Sequence, residues 1–472
     1  MADPYPGLAQ NLLNVDSEGC PAPFIGESLH PYRGGFREGR NCAVNPLVTT
    51  PNASRCCIPC PVYDYTYRSD FRRLTDGAAW VHLVGFIQCS FLLISHIVLP
   101  AKVTRRAYIN MILLAGIMVL ELGFIIPLAR QPPQCFDAVT PNGMQSNRTC
   151  AVSGGLAALG GMTLVSWVLV RALFMHLQIC WNIVIDGTYY LAANIITWST
   201  VIALTTAVLA HVGVSFRFGG YCHVNVGSFS TYWGWLLAFA GLSLLLQLMT
   251  FAYCVKVYLS AAFSGRQQLT SSSQDPSSSL AGTTKSRNAL IAARRLRSVL
   301  LLQWRSLLIV TIAIFTTAWI SIIFVYFDDL LTQKAFAETD ELIPWILCLI
   351  ASQDAARCAH LAGAFIISEE IALATLYILA FVGVEAFFLL FRSEMMTAWV
   401  ELVKKLFGKG DKRSSGEVDL SGARTWGFKR ESGGLGSKQN GVLGNEQSLR
   451  ASDDEDQREK LAEKEAHVGV AM

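Results

Sequence analysis

Apolar residues in this chain come in long blocks rather than at the short periods of soluble helices and strands. Blocks near 78–99, 108–128, 154–181, 190–211, 232–257, 301–326 and 370–391 are almost wholly apolar, and polar segments separate them. Each holds about 20 residues or more, enough for a helix to cross a hydrocarbon core of roughly 30 Å. The pattern predicts an all-α membrane protein, a bundle of seven spanning helices. A further stretch, 342–366, is apolar only in parts and is interrupted by Gln353, Asp354 and Arg357, so it reads as a loop with a short docked helix. After the seventh block, Met395, Met396, Trp399, Leu402, Val403, Leu406 and Phe407 fall on one helical face, beside Lys404 and Lys405. Residues 392–408 therefore read as an amphipathic helix on an anionic membrane surface.

Composition agrees. Of 472 residues, 52% are hydrophobic and only 15% charged, against about 25% charged in soluble globules. The net charge of +3 matters less than its distribution. Lys102, Arg105, Arg106, Arg266, Lys285, Arg287, Arg294, Arg295 and Arg297 follow the first and fifth blocks. Only Arg130, Arg148, Arg217, Lys334 and Arg357 follow the second, fourth and sixth. The basic side is expected to be cytoplasmic, with the N-terminus outside and the C-terminus inside. Arg68, Arg72 and Arg73 oppose this locally. Residues 1–70 show no basic segment followed by an apolar run, so the first span is expected to act as the signal anchor.

The thirteen cysteines sharpen the orientation. Cys20, Cys42, Cys56, Cys57, Cys60, Cys135, Cys150, Cys222, Cys348 and Cys358 fall in segments assigned outside, and Cys89, Cys180 and Cys254 within spans. Such segregation suits disulfides in an oxidising compartment, although counting leaves the connectivity open. The acceptor patterns Asn52-Ala53-Ser54 and Asn147-Arg148-Thr149 also land outside, making Asn52 and Asn147 the candidate glycosylation sites. The chain thus divides into a cysteine-bearing outer segment, 1–77, a seven-span domain, 78–391, the surface helix, 392–408, and a disordered cytoplasmic tail, 409–472. Within the span domain, 260–298 is a serine-rich flexible loop.

Charges inside apolar blocks are the candidate chemistry. Arg171 costs on the order of 3 kcal/mol inside a span, so it either snorkels or meets a partner in the bundle. Counted from the outer end of its block, it lies about 25 Å deep, close to the expected depth of Glu385, which predicts an Arg171–Glu385 interaction. Glu121 and His211, nearer the outer half, are candidate linings of a ligand cavity. The acidic residues from Asp328 to Glu341 form either a solvated loop or an attractor for cations.

Several functions are disfavoured. His82, His96, His176, His211 and His360 are scattered in depth and no His-Glu-x-x-His occurs, so a metal-dependent intramembrane hydrolase is not supported. The absence of lysine between Lys334 and Lys404 removes the Schiff base a retinal protein needs. No phosphate-binding loop or nucleic-acid motif appears, and no cofactor is called for. A transporter, channel or signalling scaffold without a G protein is the alternative, although few spans are polar or broken.

Seven spans, an outer N-terminus, Cys150 heading the third span and Cys222 before the fifth resemble a G-protein-coupled receptor. The resemblance implies a Cys150–Cys222 bridge; Cys348 and Cys358 are further disulfide candidates. The Cys56-to-Pro61 cluster, Ser166-Trp167 with Arg171, the run from Leu177 to Asn182, Pro344-Trp345 with Cys348, Gly383 and Trp399 are similar to the Frizzled/Smoothened and cyclic-AMP-receptor-like type found in fungi. In the animal Frizzled group a basic residue at the inner end of span 6 contacts a tryptophan after span 7 and restrains the resting state. The matching pair here is Arg305 and Trp399. Seventy-seven residues leave no room for the large Wnt-binding domain, and Glu394-Met395 stands where the group has Lys-Thr, so Wnt binding is not implied. The expected function is a plasma-membrane receptor that passes an unknown outer ligand's signal to a heterotrimeric G protein or adaptor.

Overall fold

The computed structural model describes residues 8–44, 54–104, 108–270, 307–325, 339–363 and 366–407. Seven helices are long and apolar enough to span a membrane: Phe71–Val98, Tyr108–Arg130, Arg148–Cys180, Gly187–His211, Phe229–Val257, Leu307–Val325 and Glu369–Leu390. They are called spans 1 to 7 below. Asn52, Arg305, most of the serine-rich loop, most of the acidic loop and the tail lie outside the described residues.

Polar residues extend several spans beyond their apolar blocks. Span 3 starts at Arg148, because Asn147 accepts from the Cys150 N–H at 3.1 Å and caps the helix. Asp186 caps span 4 by accepting from Thr188 and Tyr189 N–H, and Ser368 caps span 7, with Glu369 and Glu370 in its first turn. Helix continues past span 5 to Thr270, so the loop expected from 260 begins later. Span 7 is two helical pieces, Glu369–Ala380 and Val382–Leu390, joined at Phe381.

Small residues set the closest helix pair. A methyl group on Gly160 would lie 2.4 Å from Leu120 N, and one on Gly123 2.8 Å from Ala157 N, so the backbones of spans 2 and 3 nearly touch. Close backbone approach of this kind drives association where lipid removes the hydrophobic force.

One end of the bundle carries all the disulfides. Strands Ile25–Gly26, Arg55–Cys57 and Cys42–Val44 form a small antiparallel sheet with the 55–57 strand central. Bridges join Cys20 to Cys56, Cys42 to Cys57, Cys60 to Cys135, Cys150 to Cys222, and Cys348 to Cys358, so every cysteine outside the spans is paired. Cys89, Cys180 and Cys254 are free thiols. The N-terminal segment is tied to the later chain: Asn11 donates to Ala351 O at 3.0 Å, Phe24 packs edge-on against buried Trp345, and Tyr67 donates to Ile367 O at 3.1 Å. The stretch expected to hold one short helix holds two, Thr339–Ser352 and Ala355–Ala362, clamped by Cys348–Cys358.

Between spans 4 and 5, strands Val214–Phe218 and Tyr221–Val224 form a hairpin. Gly219 turns it with φ +54°, a conformation L side chains rarely adopt. Among the described residues, 98–104 and 392–407 form a second compact unit. Its helix Ser393–Phe407 is amphipathic and leaves Met396, Val400, Val403 and Leu406 exposed along one stripe.

Candidate ligand cavity and the polar contacts beside it

Two arrangements inside the bundle carry the chemistry. The first is a buried polar cluster joining spans 1, 2 and 7. His82 Nδ1 is hydrogen-bonded to Glu121 Oε2, and both side chains are essentially inaccessible. The other carboxylate oxygen, Oε1, accepts from the Gly383 N–H at 3.1 Å. Cys89 Sγ donates to Gly383 O at 3.4 Å. Span 7 approaches so closely because Gly383 meets Gly85: a methyl group on Gly383 would lie 2.9 Å from Gly85 Cα. The cluster sits two residues beyond the break in span 7 at Phe381. His82 stacks on Phe124, with ring centroids 4.2 Å apart, and Phe124 forms part of the wall of the second arrangement.

That second arrangement is a cavity of about 100 Å³. Five spans and the hairpin line it: Leu120 from span 2, Gly161 from span 3, Trp233 from span 5, Ser321 from span 6, Glu385 from span 7, and His223 from the hairpin. Its wall is mostly aliphatic, as in typical small-molecule sites. The Cys150–Cys222 bridge holds the hairpin over the start of span 3, and thereby seats His223 at the disulfide end of the cavity. There His223, Trp233 and Phe324 stack on one another, with centroids 4.2 to 5.5 Å apart. The Val224 N–H donates to His223 Nδ1 at 2.9 Å. Burial, and then the cationic Arg217, hold the imidazole down to about 3. The ring is therefore neutral, and with Nδ1 accepting, its proton sits on Nε2.

The expected charge contacts are redistributed. Arg171 is buried and donates to Asn110 Oδ1 on span 2, so the expected Arg171–Glu385 pair gives way to an Arg171–Asn110 contact. Depth explains this. Glu121 is 11 residues above Asn110 on the same helix, about 16 Å at 1.5 Å per residue. Glu121 touches Gly383, and Glu385 is only two residues further down span 7. Arg171 and Glu385 are thus offset by about 13 Å along the bundle. Starting span 3 at 154 instead of Arg148 set Arg171 too close to the disulfide end.

Neither expected cavity lining is in the wall. Glu121 faces His82 and Gly383 instead, and His211 is exposed at the C-terminal end of span 4. Trp399 lies half-buried on the Ser393–Phe407 helix. Asn147 spends its carbonyl oxygen on the cap of span 3. His223, Trp233, Ser321 and Asn110 escaped the sequence reading. Asn110 did carry a signal, as an amide in the first turn of a span whose other charged or amide side chains are Glu121 and the terminal Arg130. His223 carried one only once its neighbour Cys222 was tied to span 3.

No protein-family model matches the chain. It is 38% identical over 399 residues to "G protein-coupled receptor gprM" of Aspergillus fumigatus, and the match covers 84% of this chain and 78% of that protein. With seven membrane-length helices and this similarity through most of its length, the chain is an integral, multi-pass membrane protein that belongs to the family of fungal G protein-coupled receptors.

Proposed function

We propose that the protein is a plasma-membrane receptor, not an enzyme, with its disulfide end and N-terminus outside and its C-terminal tail in the cytoplasm. A ligand in the bundle cavity shifts the packing of the spans, and the opposite end passes that shift to a heterotrimeric G protein or an adaptor. The observation that carries this reading is the cavity wall: one small volume touches spans 2, 3, 5, 6 and 7 together with the disulfide-tethered hairpin. A ligand contacting five spans has differential affinity for any two arrangements of them, which is all that population shift requires. The Phe381 break and the Gly383–Glu121 contact supply a point at which span 7 can rearrange. Similarity to the fungal receptor gprM supports the class. The finer likeness to the Frizzled/Smoothened and cyclic-AMP-receptor-like type rests on the residues quoted earlier, as does the proposed Arg305–Trp399 restraint. The exposed stripe from Met396 to Leu406 suits a helix lying on the inner leaflet.

The test is a G-protein activation sensor in cells expressing the full chain at matched surface levels. Ala313→Phe places a ring in the cavity and is expected to change basal signalling. Arg305→Ala and Trp399→Ala are expected to raise it. Silence of every G protein with wild type and all three variants at the surface would overturn the coupling.

A further inference from the structure

The polar groups at the disulfide end of the cavity specify a ligand chemistry. His223 lies among aromatic rings on the hairpin yet keeps part of its surface open. It is also one of the residues that line the cavity. Its Nδ1 is taken by the Val224 N–H, and the remaining nitrogen is a donor. Trp233 Nε1, a second donor, and Ser321 Oγ are buried side-chain atoms of the same wall with no hydrogen-bond partner among the described residues. Ser321 lies one helical turn before Phe324, the third ring of the stack, so its hydroxyl belongs to the same end. Leaving buried polar groups without partners is costly, and native structures rarely gather several in one place.

The rest of the wall narrows the choice. It is mostly aliphatic, with Phe124 and Tyr232, the hydroxyls of Thr316 and Thr317, and one carboxyl group, that of Glu385, which is only half-buried. A ligand carboxylate would share the cavity with the Glu385 carboxyl, an unfavourable like-charge pairing. The volume of about 100 Å³ is smaller than the ~150 Å³ dry cavity that admits benzene. The cavity is partly open, so a ring of about six or seven heavy atoms is accommodated with part of it beyond this volume.

We infer that this cavity binds a small, uncharged, mostly apolar molecule bearing an oxygen acceptor, a ketone, ester or lactone, whose oxygen is held by His223 and Trp233. The inference rests on the receptor reading for the choice of site, but binding is measurable without signalling. Purified full-length protein in nanodiscs is titrated with cyclohexanone, methylcyclohexane and cyclohexylamine, which have equal numbers of heavy atoms, while the thermal midpoint is followed. Cyclohexanone is expected to raise the midpoint saturably and to bind about tenfold more tightly than methylcyclohexane. His223→Phe keeps a ring in the stack, removes the donor and is expected to erase the preference. Trp233→Phe loses no hydrogen bond made among the described residues, so it is expected to fold where His223→Phe fails and to reduce the preference severalfold. Equal binding of ketone and hydrocarbon overturns the assignment. So does tighter binding of the amine, which would place Glu385 in command, or a ketone preference that survives Trp233→Phe and His223→Phe. A ketone preference without coupling to any G protein leaves the binding assignment standing and removes the receptor reading. Coupling without a ketone preference does the reverse.

Discussion

Gly383 donates its backbone N–H to Glu121 Oε1 across 3.1 Å, and the space between them admits no side chain. A Cβ at Gly383 would lie 2.6 Å from that oxygen and 2.9 Å from Gly85 Cα. Neither neighbour is the free end of a flexible chain, since Glu121 is held by His82 and Gly85 Cα is backbone. Gly383→Ala is therefore expected to push span 7 away from span 1, costing about 1–3 kcal/mol as overpacking does. Thermal unfolding of the purified receptor, with Gly241→Ala as control, checks this; a Cβ at Gly241 meets nothing within 4 Å.

Arg171 and Asn110 join spans 2 and 3 by a charge-assisted hydrogen bond in a buried setting. Asn110→Leu removes the acceptor and leaves the guanidinium, and is expected to cost about 1.5–3 kcal/mol. The double variant with Arg171→Met removes both partners and is expected to cost less than the sum of the two single changes. Additive losses in a double-mutant cycle on thermal stability would show that the contact contributes nothing.

His223 sets a pH dependence whose sign follows from its environment. Its folded pKa is held down to about 3 by burial, then by Arg217, while the unfolded value is about 6.5. Below the unfolded value the unfolded chain takes up a proton that the folded chain refuses. This contribution to stability is fully present above about pH 6.5 and is lost as pH falls toward 3. The thermal midpoint of wild type is expected to fall more steeply between pH 7 and pH 4 than that of His223→Phe. Parallel curves would show that His223 stays accessible to protons in the fold.

The Cys150–Cys222 bridge positions the hairpin that carries His223, so its loss acts on the cavity as well as on stability. Cys150→Ser with Cys222→Ser is expected to lower stability by about 2–4 kcal/mol. It is also expected to abolish the ketone preference, because the donor is no longer held over span 3. Opening Cys348–Cys358 by the same substitutions is expected to leave that preference intact, since neither residue lines the cavity. Ligand titration of both variants separates these outcomes.

Much of the architecture was legible along the chain. Seven apolar blocks became seven helices, and the cysteines outside those blocks all found partners, because burial in lipid and oxidation select residue types directly. Helix ends were less legible. Asn147 and Arg148 look like loop until the cap on the Cys150 N–H is seen. That error of one to two turns was enough to pair Arg171 with the wrong span.

Which polar residues meet was a question the chain could not answer alone. Glu121, Arg171 and Glu385 each announce themselves as costly in an apolar core. Their partners depend on how far each helix slides past its neighbours and which face it turns inward. Those offsets are set by contacts such as Gly160 against Leu120 and Gly383 against Gly85, where the lack of a side chain leaves no mark in a hydropathy pattern. Composition and periodicity are local properties of the chain and reveal that helices span; register and rotation arise from packing between helices far apart in sequence, and these place His223 in the cavity wall and Glu121 outside it.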